Sequence, residues 1–216
     1  RVMTQPFEGV RVIDFTQVIA GPFASYQLAL LGADVIKIER PGGEEFRFSA
    51  HTPEWSAKSL GPMWISVNAN KRNMTLDLKK PEAVEIVKRL VRDADIVMEN
   101  YRPGVMDRLG VGYEALSEVN PSLIYCAISG FGQEGPEKNT PAYDGRIQAT
   151  SGIMSITGHV EAGPTRAGFA VCDADAARQL LAALQAWAAD VRGNTHPHHH
   201  RQQQERPTVR WQGGPP

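Results

Sequence analysis

The chain has 216 residues, 42% of them apolar and 22% charged, which is ordinary for a globular protein and enough for one large domain or a domain plus a tail. Formal net charge is −1, which argues against a polyanion such as nucleic acid as partner. Only two cysteines occur, Cys126 and Cys172, outside any Cys-x-x-Cys pair, so neither a disulfide framework nor a zinc site is expected, and both read as small buried apolar residues.

Val10–Phe15 is rich in Val and Ile and reads as a buried strand. Pro22 stands where a helix can begin, Tyr26, Leu28, Leu30 and Leu31 give it apolar surface, and Gly32 stops it. Asp34–Glu39 is the next strand. The stretch 41–64, with Gly42-Gly43 and scattered aromatics, reads as an irregular excursion, and a short extended piece is expected around Met74–Leu78. Pro81 opens the clearest helix, with Val84, Val87, Leu90 and Val91 on one face. Asp95–Met98 is the third strand, Tyr113–Val119 a shorter helix and Leu123–Ile128 the fourth strand. Phe169–Cys172 reads as an apolar strand before an Ala- and Leu-rich helix over 174–190. Strands alternating with helices imply parallel pairing through right-handed crossovers, so the fold class is α/β with a doubly wound, Rossmann-like parallel sheet.

From about Val191 the composition shifts to His, Gln, Pro and Gly without apolar periodicity. Residues 1–190 are therefore expected to form the domain and 191–216 a disordered or aberrant tail. His198–His200 is more simply part of that tail than a metal site. No apolar run reaches the roughly 18 residues needed to cross a bilayer, and the N-terminus shows no charged-then-apolar signal. A reducing, cytoplasmic compartment is expected, with no membrane partner.

Open parallel sheets bind ligands beyond the carboxyl ends of their strands. Arg40 ends the second strand, Asn100-Tyr101-Arg102 and then Arg108 follow the third, and Ser129-Gly130 with Gly132 follows the fourth. Lys71-Arg72 and Lys79 flank the short extended piece. Cations gathered at one sheet edge suit a ligand with several phosphate charges, although any one of them also reads as a solvated surface charge. The first turn, Gln17–Pro22, lacks Gly-x-Gly-x-x-Gly, which disfavours NAD. Asp173 stands at the entry of the alanine-rich helix, where an aspartate either caps the helix or does chemistry.

Four stretches, in this order, carry a resemblance: "VIDFTQVIAGPFASYQLALLGADVIKIERP", "NANKRNMTLDLKKPE", "ADIVMENYRPGVMDRLGVGYEAL" and "SGFGQEGP" with the "AYDGRIQATSGIMSITG" that follows. Over about residues 8–175 the chain resembles the family III CoA-transferases, the group of the formyl-CoA and carnitine CoA-transferases. The resemblance implies that the first unit binds the nucleotide end of coenzyme A through the backbone of Ile19 and Ala20. It implies further CoA-binding positions at Arg40, at Leu76, Asp77, Leu78 and Lys79, at Asn100, Tyr101 and Arg102, and at Arg108. Pro141, Ala142, Tyr143 and Asp144 match a segment near the pantetheine and the reacting centre.

By the same resemblance Asp173, 30 residues beyond Tyr143, is the catalytic nucleophile, with Asp175 as its neighbouring competitor. The implied reaction moves CoA between carboxylic acids through aspartyl covalent intermediates, with acyl-CoA as substrate, no tightly bound cofactor, no metal and a homodimeric assembly. The family also holds 2-methylacyl-CoA racemases, which use a His–Asp pair. Tyr143 stands in place of that histidine, and a phenol of pKa about 10 is a poor base at neutral pH. A third reading is a catalytically inactive CoA-binding fragment. Soon after Asp173 the motifs stop, family members run to about twice this length, and the large domain is expected to be incomplete at its C-terminus.

Overall fold

The computed structural model describes residues 5–48, 52–193 and 210–213. Five strands follow the apolar runs closely: β1 (Arg11–Asp14), β2 (Asp34–Glu39), β3 (Arg72–Thr75), β4 (Ile96–Glu99) and β5 (Ile124–Ile128). A short strand, β6 (Arg210–Gly213), joins them, and the sheet order is β3-β2-β1-β4-β5-β6. Every neighbouring pair is parallel; Ile13, for example, faces Ile36 on one side and Val97 on the other. The order reverses between β1 and β4, which is the switch point where such sheets open a crevice. The doubly wound α/β fold is thus as the sequence predicts.

Alternation along the strands divides the core in two. Val12, Val35, Ile96, Met98, Ile124 and Cys126 face one layer, packed under α1 (Ala20–Leu30) and α8 (Val171–Gly193). Ile13, Ile36, Ile38, Val97, Tyr125 and Ala127 face the other, under α4 (Pro81–Val91). The α8 helix buries Ala177, Leu180, Leu184 and Ala188, one stripe at helical spacing. The α4 helix starts on Pro81 and carries Glu82 in its first turn and Lys88 and Arg89 in its last, matching its dipole at both ends. Cys126 is buried, and burial pushes its thiol up to about 12, whereas Cys172 is only half-buried.

Three local readings differ. The excursion at 41–64 contains a 3-10 turn at Glu45–Arg47 and the short helices α2 (Pro53–Ala57) and α3 (Pro62–Asn68), the helices each opened by a proline in the first turn. The short extended piece lies earlier than Met74–Leu78, because Arg72–Thr75 is the part that pairs with β2. Phe169–Cys172 is no strand: α8 already begins at Val171, so Asp173 sits inside its first turn. Within the expected tail, α8 continues to Gly193 and β6 pairs with β5, while the His198–His200 reading lies outside the described residues.

Candidate active site

The crevice at the switch point is built from the turns after β1 and β4. Asn100 donates from Nδ2 to the Gln17 carbonyl and accepts the Gln17 N–H on Oδ1, both at 2.7 Å. One side chain therefore fixes the two turns against each other. Gly21 lets α1 close onto the β1 turn, since a Cβ there would come within 2.4 Å of the Thr16 side chain. Ile19 and Ala20, half-buried, lie where this turn enters α1.

Arg40, directly after β2, donates from Nε to the Gly43 carbonyl at 3.0 Å. It lies close enough to Tyr101 for its charge to oppose the upward push that burial gives the Tyr101 phenol. Leu76 continues the β3 ladder by donating to the Glu39 carbonyl at 2.8 Å, and Leu76 and Leu78 pack on the core beside it. Asp77 accepts the Lys79 N–H at 3.2 Å. Arg108 closes the short helix α5 (Val105–Arg108). Arg40, Lys79, Arg102 and Arg108 are exposed, and no ion pair among the described residues engages any of them. Guanidinium and ammonium groups left unpaired at one edge are available to phosphate.

Lys71 and Arg72 do not belong to this set. Lys71 is buried and ion-paired to Asp14 at 3.1 Å, while also donating to the Pro22 carbonyl and Asn68 Oδ1. Arg72 opens β3, so it stands at the amino edge and pairs there with Asp34 at 2.6 Å.

The second part of the site is formed by the chain after β5. Gly130 packs against Ala142, where a Cβ would come within 1.9 Å of the Ala142 Cβ. That close approach returns Pro141–Tyr143 to the sheet edge and starts α7 (Asp144–Thr150) there. Asp144 is buried and accepts the N–H of Cys172 at 2.9 Å and of Asp173 at 3.4 Å, so it caps α8 from a distant helix. Gln148 and Arg166 hold its other oxygen at 2.5 and 3.5 Å. Asp173 is thereby released from capping, and its carboxylate accepts no side-chain or backbone hydrogen bond among the described residues. Burial, and then the negative charge of Asp144, push the Asp173 carboxyl up to about 6. Asp175, two residues on, bonds Arg178 at 2.9 Å and Gln179 at 2.6 Å and is drawn below the usual carboxylate range by those bonds.

A raised native pKa means that the folded chain holds the Asp173 proton between about pH 4 and 6 while the unfolded chain has released it. Stability from this group therefore falls as pH rises through that window. Asp173→Asn is expected to raise Tm at pH 7.5 by about 2–4 °C, allowing for the partial exposure of the group. The gain closes as pH approaches 4. Thermal melts of both proteins at the two pH values check it.

The two parts are joined through neighbouring strands, Asn100 following β4 and Ser129-Gly130 following β5; among the described residues no hydrogen bond or ion pair links them directly. Sequence reading missed the buried charges beneath the crevice: Asp14, Lys37, Glu44 and Lys71. The available signal was a charged residue inside each apolar run, Asp14 in the first strand and Lys37 in the second. It also missed Glu99, which ends β4, accepts the Tyr101 N–H at 2.8 Å and is raised by burial to about 7.

Residues 7–195 match CoA-transferase family III. The match runs through the whole of α8, well past the point where the recognisable motifs stop. The chain is 43% identical over 169 residues to the succinyl-CoA:glutarate CoA-transferase of Mus musculus, covering 78% of this chain and 38% of that one. It is 48% identical over 164 residues to the acetyl-CoA:oxalate CoA-transferase of Acetobacter aceti, covering 76% of this chain and 41% of that one. Its fold matches the crystal structure of a CAIB/BAIF family protein from Brucella suis with a TM-score of 0.79 at 35% identity, over 88% of this chain and 50% of that one. The chain thus spans half or less of the length of these relatives. On its sequence match and its fold alike, the chain belongs to CoA-transferase family III.

Proposed function

We propose that this chain carries the CoA-binding and nucleophile-bearing part of an acyl-CoA:carboxylate CoA-transferase. One observation carries the reading: in a chain of this family, Asp173 stands at the start of α8 with its capping role taken by Asp144 and its carboxyl raised to about 6. A carboxylate of that basicity is mostly ionised at neutral pH and a better nucleophile than an ordinary aspartate. It attacks the thioester carbonyl; the C–S bond breaks, giving an aspartyl acyl anhydride and CoA thiolate. The thiolate then attacks the aspartyl carbonyl, releasing the first acid and leaving an aspartyl-CoA thioester. The acceptor acid attacks that thioester, expels thiolate and forms a second anhydride, which the thiolate resolves to the new acyl-CoA. Holding the thioester against Asp173 supplies much of the rate. The Cys172 and Asp173 N–H groups are engaged by Asp144, so the oxyanion donors come from elsewhere in the assembled site.

Arg40 and Arg108 meet the phosphates of CoA in this reading, and the backbone of Ile19 and Ala20 meets its nucleotide. A homodimer belongs to the reading by family resemblance, and a cytoplasmic location by the sparse cysteines. Arg40→Ala and Arg108→Ala are each expected to weaken CoA binding by about 1.5–3 kcal/mol, the range for hydrogen bonds to charged groups. Titration calorimetry measures it, and unchanged affinity in both variants places the nucleotide elsewhere. A second reading, a CoA-binding unit without turnover, is favoured by the engagement of the Cys172 and Asp173 N–H groups by Asp144, which takes the two donors at the head of α8 away from an oxyanion. It predicts the same affinities and no CoA exchange between acids.

A further inference from the structure

The turn after β1 is held at consecutive backbone groups by side chains from separate elements. Asp14 accepts the Thr16 N–H at 2.9 Å, and Lys37 Nζ, from β2, donates to the Thr16 carbonyl at 2.7 Å. Asn100 takes both backbone groups of Gln17. Glu44, from the loop after β2, accepts the Val18 N–H on Oε2 at 3.2 Å. Val18 has φ of 70°, the left-handed region that a β-branched residue avoids unless its surroundings impose it.

Glu44 and Lys37 are both nearly inaccessible, with side-chain exposures of 2% and 1% and a separation of 3.8 Å. Asn68 donates to the other Glu44 oxygen at 3.4 Å. A buried ion pair this loose adds little to stability beyond what two apolar residues would give. Its visible effect is local: Lys37 fixes the residue before Gln17 and Glu44 the residue after it. The next two residues are Ile19 and Ala20.

We propose that Glu44, supported by Lys37, is a positioning residue for the ligand: it holds Val18 left-handed and so presents the backbone of Ile19 and Ala20 to CoA. The inference rests on the CoA reading above. Without the Glu44 acceptor, Val18 relaxes to negative φ and the peptide groups that follow turn away from the crevice.

A double-mutant cycle with Val18→Gly tests it, because glycine adopts positive φ without steric cost and needs no clamp. CoA affinity is measured by calorimetry on the chain, on Glu44→Ala, on Val18→Gly and on the double variant. Glu44→Ala is expected to weaken CoA binding about tenfold in the parent and less than about threefold in the Val18→Gly background. Glu44→Gln, which keeps an acceptor for the Val18 N–H, is expected to stay within about threefold of the parent, well below the loss for alanine. It also serves if the alanine variant does not fold. Hydrogen exchange over Gln17–Ala20 without ligand is expected to quicken in Glu44→Ala. Equal losses in both backgrounds, a loss in Glu44→Gln matching alanine, or unchanged exchange overturns the assignment. Absence of CoA binding by the parent chain overturns the CoA reading itself, and is told apart because exchange reports the turn without ligand.

Discussion

Asp173→Asn is expected, on the proposed function, to abolish transfer of CoA between an acyl-CoA and a carboxylic acid, by more than about a thousandfold, while CoA affinity stays within about threefold. The split follows from what the substitution removes. An amide oxygen is too weakly nucleophilic to form the anhydride, so every later step is lost. The nucleotide, in the proposed pose, sits on Arg40, Arg108 and the β1 turn, none of which touches Asp173 among the described contacts. Asn also removes the repulsion from Asp144, so the variant does not fail by unfolding. Asp175→Asn retains most of the exchange, because Asp175 is spent on Arg178 and Gln179 along its own helix. Mass spectrometry of acyl exchange reads both variants. Full exchange in Asp173→Asn removes it as nucleophile, and loss of exchange together with CoA affinity makes its role structural.

Lys71→Met lowers the free energy of unfolding by about 3–5 kcal/mol, the cost of stripping one partner from a buried ion pair. The pair is nearly fully buried, at 1% exposure for Lys71 and 0% for Asp14. Burial opposes ionisation of Asp14, but Lys71 and Lys37, with hydrogen bonds from Ser25 and Thr16, outweigh it and bring the carboxyl down to about 2, whereas on Lys71 burial outweighs Asp14 and draws the ammonium down to about 8. That depressed value adds stability that is present above the ordinary carboxylate pKa and is lost as pH falls through about 2. Lys71 also ties the carbonyl of Pro22 in α1 to Asn68 at the end of α3, so its loss loosens the helix above the crevice. With total stabilities of about 5–15 kcal/mol for domains, the variant loses a large share. Asp14→Asn combined with Lys71→Met removes both charges and is expected to lose less than the sum of the single changes. Urea titrations with a shared m-value check this, and additive losses show that the two side chains act separately.

The strands and their alternation with helices were legible because they are written in short stretches: apolar runs, a glycine stop, an alanine-rich helix. Asp173 read locally as a cap or a chemical group, and only the family resemblance singled it out as nucleophile. Val12 and Ile13 face opposite layers as alternation requires. What lay beyond reading is non-local. Asp14 and Lys71 are 57 residues apart, and no pattern in either neighbourhood announces the pair. Lys71 therefore read as one more surface cation, like Arg72, whose partner Asp34 lies 38 residues away at the opposite edge. Asp144 reaches Cys172 across 28 residues, so the cap of α8 is supplied by a residue that the family resemblance alone had singled out, as a neighbour of the pantetheine. Phe169–Cys172 misled for a different reason. A short apolar run fits a strand or a helix entry equally well, and only the long helix beyond it decides.

The most direct test of the account is to incubate the chain with an acyl-CoA, quench it, and map the covalently modified peptide by mass spectrometry, with hydroxylamine to trap activated carboxyls. The account predicts one modified residue, Asp173, carrying an acyl or CoA group that hydroxylamine converts to a hydroxamate and that Asp173→Asn lacks. Modification at Asp144 or Asp175 instead, or none at Asp173, contradicts it.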